Sequence, residues 1–364
     1  MSKLRVLLLF GGRSSEHSIS CATAAGVMGA IDRNRFEVVP VGITKQGVLC
    51  PVADDPTPWA LTSGELPVVE FNGKKVIWPD FGVHELRYED TTTGTVHSLG
   101  EIDVVFPVLH GPYGEDGTIQ GFLELLDIAY VGNGVFASAA GMDKEFTKAL
   151  FLAAEVPVTP HVVIRETEWL NDPESALERV RTLGGTPLFV KPARAGSSMG
   201  VTKVNNMDDF AAACEEAFGH DSKLVVEHGL KAREVECAVL AGHNGKRPRV
   251  SVAGEIVVKG REFYDFEAKY RDEDSVDLIV PADLTSDQLH EMQEIARRAF
   301  NAIGGAGLAR VDFFLTDEGF VVNEINTMPG FTPLSMFPSL WQASGIAYKD
   351  LISELIDLAL EDRS

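Results

Sequence analysis

Residues 309–326 read ARVDFFLTDEGFVVNEIN, two runs of apolar residues at regular spacing on either side of Thr316-Asp317-Glu318-Gly319. Such runs, separated by a short segment that contains glycine, are typical of a β-hairpin. A three-residue loop that ends with Gly319 in the left-handed conformation would pair Thr316 with Phe320. This register predicts which residues face each other along both strands.

The register places two carboxylates opposite each other. Asp312 falls opposite Glu324, and Arg310 opposite Asn326, with all four side chains on one face because strand side chains alternate. Opposed carboxylates repel, and a divalent cation between them removes the repulsion. A solvated polar face is the alternative, but acids opposed beside an arginine favour a Mg²⁺ or Mn²⁺ site. The other face is predicted to carry Val311, Phe313, Leu315, Val321, Ile325 and one polar residue, Asn323.

Outward from the hairpin, the chain divides into three regions of different pattern. Residues 1–141 alternate apolar runs with helical patterns, which is typical of parallel βαβ units, with a small antiparallel excursion between residues 50 and 100. Residues 142–228 alternate strand and helix closely, as in a small α+β domain. Residues 229–364 are rich in strands at first and end in an amphipathic helix. We therefore expect three domains, with one helix from about Ser138 to Glu155 across the first boundary.

Composition limits the function. The net charge of −22 argues against general nucleic-acid binding, although a few lysines in a cleft can still bind an anionic small molecule. The four cysteines are far apart, which argues against a zinc pattern or a disulfide framework and favours a reducing compartment. The apolar run Leu4–Phe10 is too short for a signal peptide or a membrane span. We expect a cytoplasmic protein without nucleic-acid or membrane partners.

The segment KPARAGSSMGV, which begins at Lys191, combines a lysine with small residues. The lysine comes first, whereas in a P-loop it follows the glycines. Ser197, Ser198 and Gly200 offer hydroxyl and N–H groups to phosphate oxygens, and Lys144 is a second candidate cation. A phosphate-binding loop and a flexible surface loop both remain open on this pattern.

Other polar residues have two interpretations each. Glu16, in the first turn of a predicted helix, either complements the helix dipole or serves a site. His110 follows an apolar strand and is either a turn histidine or a substrate contact. Residues 263–275, FYDFEAKYRDEDS, suit a mobile lid over a charged ligand or an exposed ordered loop.

Four motifs, HGPYGEDGTIQG (110–121), KPARAGSSMGV, EAKY (267–270) and NEINTMPGFT (323–332), follow one another along most of the chain. In sequence and order they resemble the D-alanine–D-alanine ligase family of the ATP-grasp superfamily. The resemblance implies an α/β (α+β) ATP-grasp fold of three domains: Rossmann-like with a parallel sheet, small central α+β, and C-terminal with a mostly antiparallel sheet. It also implies ATP-dependent joining of two D-alanine molecules through D-alanyl phosphate, for peptidoglycan synthesis, by a homodimer.

The resemblance assigns roles by motif position. The residues implied for catalysis are Glu16, Ser197, Tyr270, Arg310, Gly330 and Ser335. Those implied for substrate binding are His110, Lys269 and Met336. Those implied for ATP binding are Lys144, Lys191, Ser198, Glu227, Leu230, Glu234 and Phe263. Two Mg²⁺ or Mn²⁺ ions are assigned to Asp312, Glu324 and Asn326, which the hairpin register brings together independently.

Two alternatives remain. One is an ATP-grasp ligase that joins D-alanine to a D-hydroxy acid such as D-lactate, although Tyr270 in EAKY resembles the dipeptide-forming members. The other is a nucleotide-binding regulator without catalysis. His228 stands where many family members have lysine, and Pro333-Leu334 replaces a more polar pair. These departures concern the nucleotide and second-substrate pockets rather than the reaction class.

Overall fold

The computed structural model describes residues 3–61, 66–196, 199–258 and 276–361. Within them the first sheet has the order β3-β2-β1-β7-β8. Its strands are β1 (Leu4–Gly11), β2 (Phe36–Ile43), β3 (Leu49–Pro51), β7 (Val104–Pro107) and β8 (Ala129–Tyr130). The helices that follow β1 and β7 are α1 (His17–Ala30) and α2 (Thr118–Leu126). All pairs except β2 with β3 are parallel, which confirms the βαβ prediction.

The excursion is a separate antiparallel sheet, as predicted. Its strands are β4 (Lys74–Ile77), β5 (Glu85–Asp90) and β6 (Thr95–Glu101). Arg5 of β1 attaches it to the first sheet, because its guanidinium donates to the carbonyls of Leu99 and Glu101 at 2.7 and 2.9 Å.

The second region contains a four-stranded antiparallel sheet of order β11-β10-β12-β9. Its strands are β9 (His161–Arg165), β10 (Leu188–Pro192), β11 (Thr202–Val204) and β12 (Lys223–His228). Its helices are α5 (Glu166–Asn171), α6 (Pro173–Arg181) and α7 (Phe210–Phe218). Leu188, Val190 and Val226 pack in one core with residues of α6 and α7. Because side chains alternate, Lys191 and Glu227 lie on the other face.

The single helix predicted from Ser138 to Glu155 is wrong, because the chain breaks at Asp143. The structure has α3 (Val135–Met142) and α4 (Lys144–Ala153) instead. The Asp143 carboxylate accepts hydrogen bonds from the backbone N–H groups of Glu145 and Phe146, at 3.1 and 3.4 Å, and so caps α4. The same carboxylate binds Lys223 Nζ of β12 at 2.6 Å, which fixes the start of α4 against the second sheet.

The third region contains an antiparallel sheet of order β15-β14-β13-β16-β17, as predicted. Its strands are β13 (Arg233–Leu240), β14 (Arg249–Val258), β15 (Val276–Ile279), β16 (Leu308–Thr316) and β17 (Gly319–Asn326). Its helices are α8 (Ser286–Ala302), α9 (Met336–Ala343) and α10 (Tyr348–Glu361). Among the described residues, single-turn 3₁₀ helices also span Thr57–Trp59, Met207–Asp209 and His243–Gly245. In the described part of the chain, no helix has the length and apolar character that a membrane crossing requires.

The β16–β17 hairpin has the predicted pairing at Asp312, but its turn differs from the prediction and β17 contains a bulge. Asp312 lies opposite Glu324, as predicted. The turn is one residue shorter than predicted, because Thr316 pairs with Gly319. A β-bulge at Asn323 then inserts one extra residue into β17. The short turn and the bulge cancel, so the register at the acidic pair is the predicted one.

The bulge changes which side chains of β17 face the core. Phe320 and Val322 are buried, whereas Val321, which was predicted on the apolar face, is only half-buried. Asn323 does not lie among the apolar residues, because its Oδ1 accepts a hydrogen bond from Lys191 Nζ at 3.3 Å. The predicted apolar face is therefore wrong at Val321 and Asn323.

Candidate active site

A carboxylate–arginine cluster occupies the polar face of β13, β16 and β17. Arg310 donates two hydrogen bonds to Asp312, from Nε to Oδ1 and from Nη2 to Oδ2, both at 2.7 Å. Asn326 Nδ2 donates to Asp312 Oδ2 at 2.9 Å, and Glu236 Oε2 lies 2.9 Å from Arg310 Nε. Burial alone would lower the pKa of Arg310, but Asp312 and Glu236 raise it well above its usual value. The arginine therefore stays charged.

Glu236 was missed from the sequence. It lies on β13 between Val235 and Cys237, both buried, and pairs with Asp312 across the ladder. Its place between Val235 and the apolar run from Cys237 to Leu240 was the available signal. Among the described residues, no three His, Cys, Asp or Glu side chains are arranged to hold a metal ion by themselves. A divalent ion on this face therefore needs ligand atoms from other residue types or from a bound molecule.

Two lysines and one glutamate form a second cluster, on the face of the second sheet opposite to its helices α6 and α7. Glu227 lies between them, with Oε1 at 2.6 Å from Lys148 Nζ and Oε2 at 2.6 Å from Lys191 Nζ. Burial alone would raise the pKa of Glu227, but the two ammonium groups lower it far below its usual value. Lys148 was missed, although its position four residues after Lys144 on α4 puts both on one helix face.

Lys144 connects α4 with the loop after β10 and with the hairpin. Its Nζ donates to the carbonyl of Ala195 at 2.9 Å and lies 3.9 Å from Glu324 Oε2. Burial lowers the pKa of Lys144, and Glu324 counteracts that effect. The backbone N–H of Lys144 also donates to the carbonyl of Ala193 at 3.0 Å. The structure thus brings the two predicted phosphate lysines, Lys144 and Lys191, close to residues of β17.

The loop after β10 is fixed at its start and reaches Glu16. Arg194 donates through Nε and Nη2 to Asp221, at 3.1 and 2.5 Å. A Cβ atom on Gly196 would lie 3.5 Å from Glu16 Oε2, so the loop passes beside this carboxylate. Ser197 and Ser198 lie outside the described residues.

His110 is buried at the end of the first sheet, beside the loop after β17. Its Nδ1 lies 3.2 Å from the carbonyl oxygen of Met328 and its Nε2 lies 3.2 Å from Thr23 Oγ1. Burial would lower the pKa of His110, but Glu115, with Oε1 at 3.8 Å from Nδ1, contributes to a net rise. Glu115 was not predicted; its place in HGPYGED was the available signal.

Asn133, also missed, joins the first region to the start of β16 and to the residue that follows β17. Its Nδ2 donates to the carbonyls of Leu308 and Thr327, at 2.6 and 2.9 Å, and its Oδ1 accepts from the N–H of Ala306 at 2.9 Å. These bonds hold the segment that leads to Met328, and therefore the surroundings of His110.

The remaining predicted residues have varied environments. Ser335 Oγ accepts from the N–H of Thr332 at 3.1 Å, and a Cβ on Gly330 would lie 3.2 Å from that oxygen. The Met336 side chain is buried against Gly254, so we expect any substrate contact from its backbone. Two predicted ATP-binding residues are half-buried, namely Leu230 and Glu234. Besides Ser197 and Ser198, three predicted residues lie outside the described part, namely Phe263, Lys269 and Tyr270.

Two family models match the chain. Residues 5–133 match the model described as D-ala D-ala ligase N-terminus, and residues 150–357 match D-ala D-ala ligase C-terminus. The chain belongs to the D-alanine–D-alanine ligase family. This confirms the resemblance found in the sequence motifs, and the fold is the ATP-grasp fold implied by it.

Individual relatives cover the chain from end to end. The D-alanine–D-alanine ligase of Paenarthrobacter aurescens (strain TC1) is 53% identical over 359 residues, which are 98% of this chain and 95% of that protein. The solved D-alanine–D-alanine ligase of Coxiella burnetii is 31% identical, with a TM-score of 0.82, and the match covers 100% of this chain and 95% of that one. The solved VanG D-Ala:D-Ser ligase of Enterococcus faecalis is 32% identical, with a TM-score of 0.83, and the match covers 98% and 100%.

Proposed function

We propose that the protein joins two D-alanine molecules into D-alanyl-D-alanine, through a D-alanyl phosphate formed from ATP, to supply a precursor of peptidoglycan. The observation that carries the proposal is the meeting of two cationic side chains with the acidic hairpin. Lys191 Nζ lies 3.3 Å from Asn323 Oδ1, and Lys144 Nζ lies 3.9 Å from Glu324 Oε2. Phosphoryl transfer requires such a place, where cations neutralise the phosphates beside a divalent-ion site.

We propose that Asp312, Glu324 and Asn326 hold two Mg²⁺ or Mn²⁺ ions when ATP is bound. The donors fit, because they are hard oxygen ligands that β16 and β17 present side by side. Asp312 Oδ1 accepts one hydrogen bond from Arg310, which leaves it one lone pair. The missing ligands would come from ATP phosphate oxygens. When bound, the ions supply positive charge to the phosphates.

Phosphate and nucleotide contacts follow the family positions. Lys144 and Lys191 would bind phosphate oxygens, and Arg310 with the Gly330 N–H would stabilise the oxyanion that forms when the second amine attacks. The remaining proposed nucleotide contacts are Ser198, Glu227, Leu230, Glu234 and Phe263. For Glu227 we expect a contact through the backbone, since its carboxylate is buried and already bound to Lys148 and Lys191.

The amino-acid substrates would lie between the first and third regions. Glu16 and His110 come from the end of the first sheet, and Ser335 comes from the start of α9. Protonated His110 would attract a substrate carboxylate, and Glu115 favours that form because it contributes to the raised pKa of the imidazole. The other residues proposed here are Ser197, Lys269, Tyr270 and Met336.

We propose the domain bounds 1–141, 142–228 and 229–364, because each part has its own sheet or sheets. We also propose a homodimer formed through the first domain and a location in the cytoplasm, both from the family resemblance.

A coupled assay of ADP release tests the activity. ADP should form with D-alanine and Mg²⁺, and only at background rate with L-alanine or without an amino acid. A reaction that contains both D-lactate and D-alanine, with the products identified by mass spectrometry, distinguishes the dipeptide ligase from the D-hydroxy-acid ligase. Equal ADP release without any amino acid would rule out the proposal.

Replacing Gly111 with alanine should weaken D-alanine binding. Gly111 has φ +74°, and an added Cβ would lie 2.9 Å from Glu16 Oε2. We expect the displaced carboxylate to raise the KM for D-alanine about 10-fold or more. Gly94→Ala is the matched control, because Gly94 has φ +70° but an added Cβ there would meet no atom within 4 Å. Both variants carry the backbone strain of about 1 to 2 kcal/mol, but only Gly111→Ala should change the KM. Equal KM values in the two variants would contradict the proposed place of Glu16.

A further inference from the structure

We propose that Lys148 is a positioning residue, which keeps the ammonium group of Lys191 available to nucleotide phosphate by neutralising Glu227. This inference rests on the proposed function, because it takes Lys191 to be a phosphate ligand. Lys148 itself would not contact the nucleotide.

The placement of the three side chains carries the proposal. Lys148 Nζ lies 2.6 Å from one oxygen of Glu227, and Lys191 Nζ lies 2.6 Å from the other. The Lys148 side chain is 2% exposed and that of Glu227 is 3%, whereas Lys191 is 11% exposed. The side chains of the first two are therefore closed off from a ligand, and Lys191 is the member of the cluster that is partly accessible.

Charge counting shows what Lys148 contributes. Two lysines and one glutamate leave a net charge of +1, and Lys191 is where that charge can meet an anion. Without Lys148, Glu227 and Lys191 would form a neutral pair. Charges in such a buried place interact strongly, because little water screens them. Lys191 would then be held by Glu227, and a phosphate would meet almost no net positive charge.

The neighbours of Lys191 are consistent with separate roles for Lys191, which would bind phosphate, and Lys148, which would neutralise Glu227. Lys191 Nζ lies 5.9 Å from the centre of the Phe189 ring and also donates to Asn323 Oδ1 at 3.3 Å, a neutral acceptor that a phosphate oxygen can replace at little electrostatic cost. Lys148 starts from the same helix face as Lys144, but Lys144 Nζ reaches the loop carbonyl of Ala195 at 2.9 Å instead. One lysine of α4 thus reaches the loop after β10 and Glu324, and the other reaches the buried glutamate.

Calorimetric titration with ADP and Mg²⁺, without any amino acid, tests the proposal. Lys148→Met should weaken ADP binding on the order of 10- to 100-fold, as expected for the loss of one nearby charge. The double variant K148M/E227Q restores a net charge of +1 on Lys191. It should recover most of the lost affinity, to within about threefold of the Lys148→Arg variant, which keeps the charge. Lys246→Met, on the exposed surface, is the control for losing a lysine.

The outcomes separate the inference from a purely structural role. If Lys148 only supported folding, the double variant would bind ADP as weakly as Lys148→Met or more weakly, and that result overturns the proposal. Unchanged ADP affinity in Lys148→Met also overturns it. Thermal unfolding without nucleotide checks that each variant is folded; should Lys148→Met not fold, the double variant carries the test alone and must bind ADP within about tenfold of wild type. If the wild-type protein binds no ADP, it is the proposed function that fails.

Discussion

Replacing Arg310 with methionine is expected to lower kcat by about 10²- to 10³-fold, because the variant loses a charged donor to the proposed oxyanion. It should also lower the free energy of unfolding by about 3 kcal/mol or more, because Asp312 and Glu236 would face each other without the cation between them. Steady-state ADP release at saturating substrates gives the first quantity, and urea unfolding followed by circular dichroism gives the second.

Two further variants sharpen the Arg310 experiment. Arg310→Lys keeps one positive charge between the carboxylates but loses the two-point contact with Asp312. Its free energy of unfolding should therefore be close to that of the wild type, while its kcat stays low. Arg298→Met removes an exposed arginine whose contact is the carbonyl of Glu155 at 3.0 Å, and it should leave kcat unchanged. A kcat for Arg310→Met within about threefold of wild type would contradict the proposed donor role.

Asp312→Asn should raise the Mg²⁺ concentration needed for half-maximal activity by about 100-fold or more, because it replaces one charged ligand in the proposed metal site. The fold should survive, since Arg310 keeps Glu236 as a partner at 2.9 Å. The measurement is ADP release across a Mg²⁺ titration at fixed ATP.

Asp317→Asn makes the same substitution at the exposed turn of the same hairpin. It should leave the Mg²⁺ dependence unchanged. Identical Mg²⁺ curves for the Asp312 and Asp317 variants would remove Asp312 from the metal site.

The β16–β17 hairpin shows which features of a strand pairing can be predicted from the local sequence. The predicted register places Asp312 opposite Glu324 correctly because two departures cancel: the turn is one residue shorter than predicted, and β17 contains a bulge of one residue. No local sequence pattern indicates the bulge at Asn323, and the hydrogen bond that this side chain accepts comes from Lys191 of another sheet. The sequence therefore predicted the acidic pair but assigned Asn323 to the wrong face.

Three of the missed residues have a common physical reason. Lys148, Glu236 and Asn133 are charged or polar side chains whose partners lie far away in the chain, at Glu227, Arg310 and the start of β16. Their burial is stable only because those partners exist, and no local pattern reveals them. The break at Asp143 is different, since aspartate is a common N-cap and the residue itself was a usable signal.

The proposed reaction consumes one ATP for each D-alanyl-D-alanine formed. Measuring ADP and dipeptide in the same reaction mixture tests this stoichiometry directly. The purified protein is incubated with ATP, Mg²⁺ and D-alanine, and ADP and dipeptide are quantified by liquid chromatography with mass spectrometry. We expect equal amounts of ADP and D-alanyl-D-alanine, and no dipeptide when L-alanine replaces D-alanine. ADP without dipeptide, or no D-alanine-dependent ADP at all, would contradict the proposed reaction.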